Sequence, residues 1–174
     1  MNTVNNATPK DFMLQKMQSG KNKMLLSSRG LTICLFYAPN DNLCKHFIPQ
    51  YINLSSTINS CNFMMCNLAL HNSVIHMSNQ TNDPLKVIPS IIIYNNSRPL
   101  FQYEGEYTMR EVGEFINYSI EFTAKKEALQ SKGYSVQDPN NTVGSKAIPY
   151  LDFKCDDNFC YVPCTEAYCE KKEQ

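Results

Sequence analysis

Hydrophobic positions along this chain fall into short blocks separated by breaks rich in Asn, Gly and Pro. The densest block, Leu31 to Ala38, is apolar at nearly every position. Such a run predicts a strand covered on both faces, as in the centre of an α/β sheet. It breaks at Pro39-Asn40-Asp41-Asn42. Beyond the break, Leu43, Phe47, Tyr51, Leu54 and Ile58 recur at helical spacing, with Pro49 inside the pattern to kink it. A strand, a tight loop and a helix are therefore expected in succession, with Cys44 in the helix's first turn.

Weaker blocks flank this one. Thr8-Pro9 reads as N-cap and first helical residue, Asp11 suits the first turn, and Phe12, Met13 and Met17 give a short apolar face that Gly20 ends. A helix is expected there, followed by an edge strand or loop around Met24-Leu25-Leu26. Phe63 to Leu68 predicts a second strand, and His71 to Met77 a short helix. Ser90 to Tyr94 and Leu100 to Tyr103, joined by Asn95-Asn96-Ser97, predict a hairpin. Thr108-Met109-Arg110-Glu111 is a capping-box pattern opening a helix whose apolar face is Met109, Val112, Phe115, Ile116 and Ile120. From Tyr134 the periodicity fails, and too few apolar residues remain for a separate core. The expected organisation is a polar arm over residues 1–8, one domain over 9–133, and a Cys-rich extension over 134–174.

Composition narrows the function classes. The 174 residues carry 16 basic and 16 acidic side chains with no basic block, so a nucleic-acid footprint is not expected. The polar N-terminus lacks the apolar core of a signal peptide. Apolar runs fall far short of the roughly 20 residues of a membrane helix. The reading is a protein of the cytoplasm, or of a virus particle assembled there. Abundant Asn and the absence of Trp fit an AT-rich genome, such as that of a large DNA virus.

The order of elements resembles the thioredoxin fold over roughly residues 10 to 122. Phe36-Tyr37-Ala38-Pro39 resembles the approach to a thioredoxin active site. Cys44-Lys45 followed by Pro49 matches the second active-site cysteine, its usual lysine and the kink proline. Ile88-Pro89-Ser90 resembles the cis-proline segment, and Gly105 the glycine after the last hairpin strand. The resemblance implies a central mixed sheet flanked by helices. It also implies an active site at Asp41-Asn42-Leu43-Cys44 beside Pro89.

This sequence departs from the family where the chemistry lies. The redox motif is C-x-x-C, but the first, attacking cysteine is Asp41, and the aromatic before it is Asn40. The buried acid of the central strand aligns with Leu35. Exchange needs one thiol to attack and a second to resolve, and a carboxylate cannot attack sulfur usefully. Asp41 suits a helix N-cap instead. The expected function is a redox-inactive binding or structural component that engages other proteins, within a larger assembly such as a virus particle. The alternative is an atypical thiol-disulfide oxidoreductase using Cys44, the tail cysteines, or both. Peptide binding beside Pro89 would survive the loss of redox chemistry.

Eight cysteines are many for a reducing compartment. Cys34, Cys61 and Cys66 read as buried thiols. Cys155, Cys160, Cys164 and Cys169 crowd the extension. Two disulfides with three possible pairings, a structural zinc held by four thiolates, and free thiols all fit this cluster. No other cofactor is expected.

Overall fold

The structure, a computed structural model, describes residues 3–17, 22–131, 154–155 and 160–161. The apolar run forms the seven-residue strand β4 (Leu31–Tyr37), buried from Leu31 through Phe36. Earlier in the chain lie β1 (Asn5–Asn6), β2 (Phe12–Lys16) and β3 (Asn22–Leu26). After β4 come α1 (Asn42–Thr57), β5 (Asn62–Asn67), α2 (Asn72–Asn79), β6 (Ser90–Asn95), β7 (Arg98–Gln102) and α3 (Met109–Ser131). Two short strands, β8 (Lys154–Cys155) and β9 (Cys160–Tyr161), pair antiparallel.

Five strands form one mixed sheet in the order β1-β5-β4-β6-β7. Strand β4 is central, parallel to β5 (Cys34 beside Met64) and antiparallel to β6 (Cys34 beside Ile92). Side chains alternate across a strand, so β4 splits its burial between two cores. Leu31, Ile33 and Leu35 face a core closed by Phe47, Tyr51 and Leu54 of α1 and by Val112, Phe115 and Ile116 of α3. Cys34 and Phe36 face the other, with Cys66, Ile92, Tyr94 and Val74 of α2. Both faces being covered is why the strand reads as unbroken apolarity rather than alternation.

Pro49 lies within α1 and is exposed. Tyr51 is fully buried, and its phenol lies 3.0 Å from the carbonyl oxygens of both Ile33 and Met64, tying α1 to β4 and β5. At α3, the Glu111 amide donates to Thr108 Oγ1 at 3.3 Å, as the capping pattern predicts.

The N-terminal region corrects the sequence reading. Thr8-Pro9 does open a helical turn, but only the single 3-10 turn Pro9–Asp11. There the Thr8 amide and hydroxyl both donate to Asp11 Oδ2, at 2.7 and 2.8 Å. The expected helix is instead the hairpin β2–β3, with Phe12 opposite Leu26 and Leu14 opposite Met24. Phe12, Met24 and Leu26 are buried against the Cys34–Phe36 face, and Met13 points outward, 55% exposed. Gly20, read as the end of that helix, lies outside the described residues.

The segment read as a polar arm also joins the fold. Asn5 and Asn6 pair with Met64 and Met65 as the edge strand, and Ala7 is buried. The Cys-rich extension lies outside the described residues apart from 154–155 and 160–161.

Candidate functional site

The loop after β4 delivers Asp41 to the N-cap of α1. Its backbone is extended, and Oδ1 accepts a 2.8 Å hydrogen bond from the Cys44 amide. The first amides of a helix have no partner within it, and a short carboxylate side chain meets that need. The Cys44 amide, the Cys44 thiol and the positive charge of Lys45 together lower the Asp41 pKa, the amide contributing most. Asp41 is therefore an ionised cap.

Cys44 is fully buried. Burial pushes its thiol up to about 11, and hydrogen bonding to the Asp41 carboxylate acts in the same direction, against an opposing contribution from the Ala38 backbone. A thiol donating to a carboxylate loses that bond when it ionises. Both effects hold Cys44 as the neutral thiol, whereas the nucleophile of an exchange reaction is the thiolate.

Tyr107 packs against the same core as Phe47. Its ring packs edge-on against Phe47, with centroids 5.3 Å apart, and against Tyr103, 5.4 Å apart. Its hydroxyl lies within electrostatic reach of Cys44. Burial, followed by Tyr103 and Cys44, raises its pKa well beyond the neutral range. Tyr107 cannot serve as a base at neutral pH. The sequence reading missed it, because nothing in the spacing of the Gly105–Thr108 loop connects it to Cys44. Leu35, at the position of the family's buried acid, is completely buried in the apolar core.

The Ile88–Pro89 peptide is cis, as the resemblance implies, and Pro89 is buried. The β4–β6 register sets Phe36 beside Ser90, so the start of β6 lies at the end of β4. The cis-proline segment and the Asp41–Cys44 loop therefore occupy the same end of the sheet. Leu70, after the parallel strand β5, belongs to that end too. Of the six large hydrophobic side chains that stand exposed among the described residues, four lie there: Leu43, Leu70, Val87 and Ile88. Neither Val87 nor Ile88 makes a backbone hydrogen bond to another described residue.

The remaining cysteines of the domain are buried. Burial pushes Cys61 and Cys66 up to about 12 and also raises Cys34 well above the ordinary thiol value. Cys34 and Cys66 share a face of neighbouring strands, and both are thiols rather than a disulfide. In the extension, Cys155 pairs with Cys160 across β8 and β9, while Cys164 and Cys169 lie outside the described residues.

This architecture is that of the thioredoxin class. The family model described as Thioredoxin matches residues 12–118, and the chain belongs to that family. It is similar to uncharacterized protein 196R of Invertebrate iridescent virus 6, with 26% identity over 132 residues, spanning 72% of this chain and 74% of that protein. Among solved structures, human ERp44 in its zinc-bound form aligns with a TM-score of 0.53 and 12% identity, over 68% of this chain and 32% of that one. Thioredoxin of Malassezia sympodialis aligns with a TM-score of 0.49 and 11% identity, over 67% of this chain and 90% of that one. No helix among the described residues is long and apolar enough to cross a membrane.

Proposed function

We propose that this chain is a redox-inactive thioredoxin-fold binding module that docks protein segments at the Leu43–Ile88 end of its sheet. The observation that carries this reading is the Asp41–Cys44 pair. The attacking position holds an ionised helix cap, and the resolving position holds a buried thiol whose pKa is pushed up to about 11. The exposed apolar groups around Pro89, with the backbone of Val87 and Ile88 open, suit an extended peptide bound by main-chain pairing and apolar contact. The likeness to an iridescent virus protein supports a role in a virus, as a particle component or in the infected cytoplasm.

Reduction of insulin's interchain disulfides by the pre-reduced protein tests the reading. The expected rate is that of the buffer thiol alone, with Cys44 alkylated only after unfolding. Turnover at an ordinary thioredoxin rate that disappears in Cys44→Ser would establish the oxidoreductase instead. The particle role is checked by immunoblot of purified, protease-treated particles. Loss of the signal on protease treatment of intact particles would remove that role.

A further inference from the structure

The two strands of the extension place Cys155 directly opposite Cys160. Strands β8 and β9 run antiparallel, with Lys154 facing Tyr161 and Cys155 facing Cys160. Facing residues on such a ladder have Cα atoms about 4.5–5.5 Å apart. That separation falls inside the window of roughly 4.4–6.8 Å that a disulfide spans. We propose that Cys155 and Cys160 form a disulfide across this hairpin, a covalent site outside the thioredoxin domain. Of the partners open to Cys155, the register favours Cys160.

The backbone arrangement and the bond support one another. Each strand has two residues, and an isolated two-stranded hairpin is at best marginal in water. A disulfide closing the hairpin removes open conformations from the competing ensemble. Reduction frees the two strands and oxidation holds them together, so the tail's local order follows the thiol potential around it.

Glutathione disulfide is a sufficient oxidant. One tail thiolate attacks a sulfur of the oxidant, whose S–S bond breaks and releases a glutathione thiolate. The second tail thiolate attacks the mixed disulfide and expels the other glutathione thiolate. The two cysteines lose two electrons and two protons, and the oxidant becomes two molecules of glutathione. Reduced glutathione runs the sequence backwards.

The tail sequence lets the pairing be read directly. Chymotryptic cleavage after Phe153, Phe159, Tyr161 and Tyr168 puts each of the four cysteines in its own peptide. The full chain is equilibrated with glutathione disulfide, its remaining thiols are blocked, and it is digested without reductant for mass spectrometry. The expected product joins peptide 154–159 to peptide 160–161. In Cys160→Ser, Cys155 is expected as its glutathione adduct, since no facing thiol resolves it. A link from Cys155 or Cys160 to Cys164 or Cys169 overturns the proposal. So does full alkylation of both cysteines in the wild-type chain, or a native mass that retains a zinc ion with all four thiols protected. The proposal rests on the β8–β9 register and not on the Asp41–Cys44 reading. The two fail separately, since one experiment reads tail peptides and the other reads insulin.

Discussion

The Asp41 carboxylate accepts from the Cys44 amide at 2.8 Å, and its negative charge raises the pKa of the same residue's thiol. One side chain thus caps the helix and keeps the cysteine protonated. Substitutions at position 41 separate the two tasks. Asp41→Ala is expected to cost about 0.5–2 kcal/mol in denaturant unfolding. Asp41→Asn keeps the cap but removes the charge, so Cys44 should ionise at lower pH while stability changes little. Asp41→Cys restores two thiols at the family's spacing and should give insulin reduction above background. That rate should stay below a full thioredoxin's, because Leu35 supplies no buried acid.

The raised Cys44 pKa fixes the sign of a pH effect. The folded state keeps a proton that the unfolded chain releases near pH 8.5. The stabilisation is therefore fully present below that pH and is lost as pH rises through about 11. Unfolding midpoints compared at pH 7 and pH 10 should fall further for the wild type than for Cys44→Ala. Cys61 and Cys66 push in the same direction in both proteins and cancel in the comparison. An equal fall in the two would show that Cys44 is not held protonated.

The β2–β3 hairpin packs one face on the core that holds Cys34 and Phe36, so its two faces should respond differently. Phe12 is buried and packs on Phe36 with ring centroids 5.6 Å apart. Phe12→Ala is expected to cost about 3–5 kcal/mol. Its neighbour Met13 points outward, and Met13→Ala should stay within about 0.5 kcal/mol. A helix in this segment would bury Met13 beside Phe12 and bring the two costs together.

Gly105 allows Tyr103 to sit where it does. A Cβ at position 105 would lie 2.6 Å from the Tyr103 hydroxyl oxygen. That hydroxyl donates to the Glu106 carbonyl at 2.7 Å, and the ring is packed against both Tyr107 and Phe115. Gly105→Ala should cost about 1–3 kcal/mol through displaced packing. Because Tyr107 leans on Tyr103, the same change should also speed Cys44 alkylation in the native protein. Stability loss with no change in alkylation would show that Tyr107 does not restrict access to Cys44.

Much of this was readable in the sequence where one physical rule acted alone. Strand β4 shows as unbroken apolarity because both its faces are covered. Helices α1 and α3 show as helical spacing because each has one buried face. The Asp41 cap was visible for the same reason, since a good N-cap is a fact of residue type. The β2–β3 hairpin was not readable. Phe12, Leu14, Met24 and Leu26 do alternate, but Met13 and Leu25 are apolar on the outer face and erase the period of two. Thr8, Pro9 and Asp11 are honest helix signals, obeyed for one turn and then overruled by packing. Strand β1 is too short to carry a pattern at all. Tyr107 reaches Cys44 only through the closure of the fold, which no local spacing encodes.

The Asp41 cap also separates the shape of this domain from the chemistry of its surroundings. A loop closed by two sulfurs changes its covalent state whenever the thiol potential crosses its own. A loop closed by a carboxylate and a helix terminus has no electrons to exchange, and Asp41 stays ionised across the physiological pH range. The Leu43–Ile88 end of the sheet therefore presents one surface in a reducing cell and in an oxidising exterior alike.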